Sequence, residues 1–288
     1  MNGGNPPVAE LIDCHTHLGN YRDVVNSGNP FGKVTLDVLI SYLNALNIRK
    51  AVVLPLFSWN VNVLMPTEYV LEAVSNCPDR LIPFCAAEVR EQCFDDRVKR
   101  YVEVGCRGFG EHTSKLPIDH ELNLHLYRLC GRLEIPILIH LAFGDREVYG
   151  AMDSPSLDGL ERVVREHSDV DFILHGPGWW SCMSADLPAE AYPKTPVNGR
   201  GRTVCLLQSY DNLYGDLSAS SGYNALNRDI EFAKLFLREL NRKVLYGTDL
   251  QDFFTPAEVH RKLLDSLGLS EEAYQNIYHR NLERLIRP

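Results

Sequence analysis

A repetition places the strongest constraint on this chain. Short apolar runs that read as buried strands recur about every thirty residues, each followed by a helical pattern or by a loop in its place. The runs are Leu11-Ile12-Asp13-Cys14-His15-Thr16-His17, Lys50 to Leu56, Leu81 to Ala87, Cys106 to His112, Ile135 to His140, Val170 to His175, Asn212 to Leu217 and Lys243 to Asp249. The first intervening helix starts near Thr35 and carries Leu36, Leu39, Ile40, Leu43 and Leu46 on one face. Further helices are predicted from an N-cap at Thr67 to Asn76, from Asp95 to Val104, from a cap at Asp119 to Leu133, from Leu157 to His167 and from Asp229 to Asn241. Thr255-Pro256-Ala257-Glu258 combines a cap, a first-turn proline and a capping-box glutamate, so another helix begins there.

Strand and helix alternating over the whole chain predict an α/β fold: a single (β/α)8 TIM barrel over residues 1–288, with no linker or second domain. The competing architecture, a doubly wound open sheet, ordinarily opens with a Gly-rich phosphate turn after its first strand, where this chain has Asp-Cys-His-Thr-His. Gly105, Gly108 and Gly110 neither match the GxGxxG spacing nor open a helix.

In such a barrel the carboxyl ends of all strands converge on one face, and polar residues there read as chemistry while strand interiors read as packing. Residues i and i+2 of a strand share a face, so His15 and His17 present their imidazoles side by side. Glu111 lies at the end of the fourth strand, His140 of the fifth, His175 of the sixth and Asp249 of the eighth. Taken singly, each is an ordinary polar residue that backbone or water can satisfy. Their coincidence at one structural register predicts a metal site. His112 points to the other face of its strand, and His120, His125, His167, His260 and His279 fall on helices, where surface solvation is expected.

A formal net charge of -9 without a basic tract argues against nucleic acid or an anionic membrane as partner and favours a small-molecule substrate. The N-terminal residues lack a signal-peptide pattern and no apolar run reaches bilayer length, so a cytoplasmic protein is expected. Eight cysteines without CxxC spacing read as free thiols rather than a zinc ribbon or disulfide framework. The Gly/Pro-rich stretch 176–202, with Trp179 and Trp180 directly after a strand end, reads as a long loop. Two roles stand open for it: a lid whose tryptophans wall the pocket, or an interface segment of a homo-oligomer.

The Asp13-Cys14-His15-Thr16-His17 opening, Ile139-His140, Leu174-His175-Gly176 and Tyr246-Gly247-Thr248-Asp249 together resemble the amidohydrolase superfamily. The likeness is greatest to its amidohydrolase-related branch, which includes aminocarboxymuconate-semialdehyde decarboxylase and its relatives. It extends to the tail, where His279 to Leu285 resembles the closing Gly-Asn-Ala-x-Arg-Leu helix with Arg280 in place of glycine. The resemblance implies that His15, His17, His140 and Asp249 bind a divalent metal with His175 at or beside it. Zinc is the first expectation, manganese or iron the alternatives. Glu111 departs from the decarboxylase-like pattern and resembles the bridging glutamate of TatD-like deoxyribonucleases. It would either bridge two cations or orient a ligand histidine from behind.

The leading expectation is metal-dependent hydrolysis, in which an activated water attacks the carbonyl of an ester, lactone or amide. Asp249 would take and return the proton, and His175 would polarise the carbonyl or assist the transfer. The alternative is non-oxidative decarboxylation on the same scaffold, with Arg22, Arg90 or Arg146 holding the substrate carboxylate. Arg22, Trp179 and Trp180 are the substrate-binding candidates. A TatD-like nuclease is disfavoured by the acidic balance, and a barrel that has lost its chemistry is disfavoured by the complete ligand set.

Overall fold

Each apolar run of the sequence contributes a strand, and the strands pair in chain order. They are β1 (Leu11–Thr16), β2 (Ile48–Val53), β3 (Leu81–Pro83), β4 (Phe109–His112), β5 (Ile137–Ala142), β6 (Phe172–His175), β7 (Leu213–Asp216) and β8 (Val244–Leu245). This computed structural model describes residues 10–19, 34–57, 63–144, 147, 150–250 and 257–286. Parallel pairing runs from β1 through β2 to β3 and from β4 without interruption to β8. The two arcs are joined where Cys85 N–H donates to Gly108 O (2.9 Å) and Gly110 N–H to Cys85 O (2.8 Å). The ring closes where Cys14 N–H donates to Tyr246 O (2.9 Å) and Asp249 N–H to His15 O (2.8 Å).

The helices are α1 (Leu36–Ala45), α2 (Thr67–Asn76), α3 (Phe94–Glu103), α4 (Glu121–Leu133), α5 (Asp158–Glu166), α6 (Pro177–Trp180), α7 (Arg202–Ser209), α8 (Ala219–Asn227), α9 (Ile230–Leu240), α10 (Ala257–Ser266), α11 (Glu271–Gln275) and α12 (Asn281–Leu285). Their spacing of apolar residues decides which face they bury. In α5 that face is Leu160, Val163 and Val164. Thr35 caps α1 by accepting from Val38 N–H at 3.3 Å. Thr67 and Asp119 do not act as the expected caps. Thr67 is the first helical residue of α2, and its hydroxyl instead exchanges hydrogen bonds with the backbone of Ala86 (3.0 and 3.1 Å), tying α2 to the loop after β3. At α4 the cap is His120, whose Nδ1 accepts from Leu122 N–H at 3.2 Å. The Thr255-Pro256 cap lies outside the described residues.

Two apolar cores result. One fills the barrel with Ile12, Cys14, Val52, Leu54, Phe84, Leu138, Ile173 and Leu245, and Leu282 and Leu285 pack beneath it. That closure is at the end where strands begin, since Glu283 of α12 pairs with Arg49 at the start of β2 (2.7 Å). The other lies between strands and helices. Along β5 and β6 the inward side alternates from Leu138 to His140 and from Ile173 to His175, so the residues after the apolar plug arrive at the rim where the strands end. In β1 the pairing register shifts between Asp13 and Thr16. A shift of this kind breaks strict alternation, and His15 reaches the inner rim beside the inward-facing Cys14.

The stretch 176–202 opens with α6 and a 3-10 turn (Ser181–Met183). Trp179 and Trp180 are 0% and 1% exposed. Trp180 Nε1–H donates to Asp216 O (2.8 Å), and its ring meets Phe236 of α9 edge-on. A Cβ on Gly215 would lie 2.9 Å from Trp180 Cη2 and 3.3 Å from Trp179 Nε1. Gly215 alternates with the inward-facing Asp216, so both rings occupy the layer between β7 and the helices. The expectation that they wall a pocket or form a subunit interface is therefore corrected: bulky apolar rings have been drawn into the outer core, leaving no surface for substrate or partner. Trp180→Ala is expected to lower the unfolding free energy by about 3–5 kcal/mol, as for other large aromatic truncations, without changing the elution volume on size exclusion. Denaturant unfolding and gel filtration of the same samples check both.

Candidate metal centre

All six sequence candidates come together at the carboxyl ends of the strands. His15 Nε2 and His17 Nε2 lie 3.0 Å apart. His17 Nε2 is 3.7 Å from Glu111 Oε2 and 3.8 Å from Asp249 Oδ1. His175 Nε2 is 4.0 Å from both Glu111 Oε1 and Asp249 Oδ2. His140 Nδ1 donates to Glu111 Oε1 at 2.9 Å, and its Nε2 faces Glu147 Oε2 at 3.9 Å. The histidines and Glu111 are buried, while the Asp249 side chain keeps 18% of its surface exposed.

The donor set fits a divalent cation. His17 Nδ1–H donates to Leu54 O (3.0 Å), and a carbonyl only accepts, so neutral His17 carries its lone pair on Nε2. His15 Nδ1–H donates to Asp216 Oδ2 at 2.6 Å, which likewise turns its Nε2 inward. Two imidazole nitrogens aimed at each other need a proton or a cation between them. Carboxyl oxygens and imidazole nitrogens of His15, His17 and Asp249, of Glu111, His140 and His175, and of His15, His175 and Asp216 form three compact sets of possible ligands.

Asp216 escaped the sequence reading although the same rule identifies it, since β7 ends in an acid as the β8 arm does. The run Asn212 to Leu217 contains no histidine and little branched aliphatic character, and its terminal acid drew no weight. It is the buried centre of the site. Oδ1 accepts from Ser218 N–H (2.8 Å) and Cys14 Sγ–H (3.2 Å), and Oδ2 lies 2.9 Å from Ser218 Oγ. A second buried acid, Asp13, accepts the backbone N–H groups of His15 and Thr248 on Oδ1 (3.0 Å each) and the Thr248 hydroxyl on Oδ2 (2.6 Å). It thereby ties together the backbones at or next to two candidate ligand positions, His15 and Asp249. Burial pushes its pKa up to about 7, against the hydrogen bonds that favour the carboxylate.

Other expectations resolve outside this cluster. Arg90 is held at the rim by Glu88 (2.7 Å) and by Ser114 O (2.9 Å), beside a small cavity lined by Ala86, Ala87, Val89, Glu111 and Ser114. Arg22 and Arg146 lie outside the described residues. His112 turns away, with Nε2 2.9 Å from Asn123 Oδ1. His125 is exposed and pairs with Asp95 at 2.6 Å. His167 and His260 are buried, which corrects the expected solvation: His167, just past the end of α5, packs against the ring of Tyr127, and His260, on α10, against that of Tyr223.

The imidazoles split electrostatically. Burial opposes protonation of His15, but the Asp216 and Asp249 carboxylates outweigh it and raise the pKa to about 10. Burial likewise opposes it at His140, where Glu111 and Glu147 raise it to about 9. Burial, reinforced by the neighbouring His15 charge, lowers His17 to about 4 and His175 to about 3. Burial disfavours the Glu111 and Asp216 carboxylates, yet their histidine partners hold both well below the usual carboxylate range. For metal-free protein the signs follow. The raised pair His15 and His140 stabilises fully below pH 6.5 and loses that contribution toward pH 9–10. The depressed histidines cost stability as pH falls below 6.5, and the two carboxylates add to that loss as pH drops through the ordinary carboxylate range. Thermal unfolding of chelator-treated protein should therefore be most resistant near pH 6.5, with Tm falling on both sides. A Tm that continues to rise toward pH 9 would contradict this electrostatic arrangement.

A closed parallel barrel with imidazoles and carboxylates gathered where its strands end defines a class, the TIM-barrel enzymes that carry their chemistry on that rim. No curated protein matches the sequence. The profile of the Amidohydrolase family matches residues 12–287, and the chain belongs to that family. Among solved structures, it is similar to an Acinetobacter baumannii protein assigned as 2-pyrone-4,6-dicarboxylic acid hydrolase (14% identity, TM-score 0.65, 96% of this chain and 99% of that one). It is similar to 2,6-dihydroxybenzoate decarboxylase from Rhizobium (14%, TM-score 0.65, 96% and 98%) and to a Burkholderia multivorans amidohydrolase with bound zinc (11%, TM-score 0.65, 96% and 99%). Family and neighbours are enzymes, and the shared fold is the TIM barrel. No helix among the described residues is long and apolar enough to cross a membrane.

Proposed function

We propose that this enzyme is a metal-dependent hydrolase that cleaves an ester, lactone or amide of a small molecule, with zinc as the first candidate cation. The observation that carries the reading is the pair of Nε2 atoms of His15 and His17, 3.0 Å apart with both Nδ1 atoms committed elsewhere. His15, His17 and Asp249 would hold the ion, with Glu111 Oε2 facing the same space. A cation there would lower the pKa of a bound water toward neutrality and act as a Lewis acid on a carbonyl oxygen.

The protein supplies the proton handling. Asp249 is the most exposed of the ligand candidates and spans His17 and His175, so its carboxylate can accept a proton from water and return it to the leaving group. Burial of the surrounding histidines excludes bulk solvent and keeps the field of the carboxylates strong. Glu111 orients His140: its Oε1 already accepts the Nδ1–H, so a proton occupies the line between them. This supports a one-ion centre. Arg90 is committed to Glu88 and Ser114 O, which weighs against its capturing a substrate carboxylate for decarboxylation. Eight free thiols suit a reducing, cytoplasmic compartment.

Metal analysis of zinc-saturated protein is expected to give one equivalent per chain, and Glu111→Gln should retain that equivalent with affinity weakened about 10–100-fold. Two equivalents falling to one in the variant would install Glu111 as a bridge instead. To test the reaction, panels of lactones, esters and aromatic carboxylates are incubated in 18O-labelled water. Hydrolysis places one labelled oxygen in the acid product, whereas release of carbon dioxide with no labelled acid would overturn the hydrolase reading in favour of a decarboxylase.

A further inference from the structure

The geometry points to Ser218 and Asp216 as a tautomer lock on His175: the pair fixes its ring proton on Nδ1 and leaves Nε2 bare toward the reaction space. Ser218 Oγ lies 2.9 Å from Asp216 Oδ2 and 2.9 Å from His175 Nδ1. A hydroxyl has one proton to give, and the two neighbours compete for it. The competition is unequal, because Oδ2 belongs to a fully buried carboxylate and a charged acceptor forms the stronger bond. Giving the proton to His175 would leave an oxygen lone pair pressed against that carboxylate at 2.9 Å with nothing between them.

The remaining contacts agree. Ser218 is anchored by its own N–H on Asp216 Oδ1 (2.8 Å), so the hydroxyl starts from a fixed backbone position. Ser218 Oγ also sits 3.2 Å from His15 Nδ1, which itself donates to Oδ2 at 2.6 Å. The donors of His15 and Ser218 thus converge on one carboxylate oxygen. With its proton spent on Oδ2, Ser218 accepts from His175, and a proton on His175 Nδ1 is further drawn by the same oxygen 3.4 Å away. One buried acid therefore sets the ring orientation of two histidines, directly for His15 and through a hydroxyl for His175.

The chemical consequence rests on the hydrolase reading above. A neutral His175 with a bare Nε2, 4.0 Å from Glu111 and Asp249, accepts a proton or donates a lone pair to a cation. It does not donate a hydrogen bond to a substrate carbonyl, which removes one of the two roles expected for it from sequence. Ser218 and Asp216 are positioning residues, since neither is argued to touch the reacting atoms.

The test reads the tautomer itself. Long-range 1H–15N correlation spectra of the intact, histidine-labelled protein at neutral pH distinguish a protonated from a bare ring nitrogen, and His175→Gln assigns the resonance. Wild type is expected to show His175 protonated at Nδ1 alone, Ser218→Ala to show mixed or reversed protonation, and Ser218→Thr to restore the wild-type pattern. A wild-type His175 protonated at Nε2, or an unchanged tautomer in Ser218→Ala, overturns the lock. The wild-type spectrum decides the first point even where a variant fails to fold. Zinc competition with a chromophoric chelator supplies a second readout, with affinity expected to fall about 10–100-fold in Ser218→Ala and to return in Ser218→Thr. Failure of wild type to bind zinc would sink the metal reading alone, because the tautomer pattern is measured without it.

Discussion

The site depends on one buried contact, the 2.6 Å bond between His15 Nδ1 and the carboxylate of Asp216. A carboxylate with no exposed surface is strongly unfavourable unless its oxygens are filled by donors, and here four donors fill them: a histidine, a hydroxyl, a backbone amide and a thiol. Each donor stands on or beside a strand that reaches the rim. Trp180 adds a fifth tie by donating to the carbonyl of Asp216, so the outer core holds the same residue from behind. Preorganisation thus comes from satisfying one fully buried acid with protein donors.

Asp13 performs the matching task at the seam. Its carboxylate joins the amides of His15 and Thr248, and Thr248 stands next to Asp249. Asp249 itself has φ +47, in the left-handed region that a non-glycine residue occupies only where surroundings hold it. Two buried acids, Asp13 next to Cys14 in sequence and Asp216 bonded to the Cys14 thiol, therefore hold the two ends of the candidate ligand set.

The barrel was legible because its strands are apolar runs of similar length at a steady interval, and because the chemistry repeats at their ends. Five of the eight strands could be recognised by a histidine or carboxylate in that register. What escaped notice depends on contacts between distant residues. Asp216 and Ser218 lie about two hundred positions from His15, and no local pattern announces that a hydroxyl will sit between an acid and a histidine. Trp179 and Trp180 misled for a different reason: Gly and Pro beside aromatics look like a loop, yet the glycine that mattered was Gly215, whose missing side chain makes room for both rings. Thr67 and Asp119 were plausible caps that tertiary bonds and a neighbouring histidine displaced.

The two backbone hydrogen bonds that close the ring, Cys14 to Tyr246 and Asp249 to His15, join the beginning of the chain to a point more than two hundred residues later. His15 and Asp249 face each other across that join. Synthesis from the N-terminus therefore leaves His15 and His17, two of the candidate ligands, waiting until the last strand has been laid against the first. A cation held by both His15 and Asp249, as proposed, would be a latch on the finished barrel, set only once the last strand lies against the first.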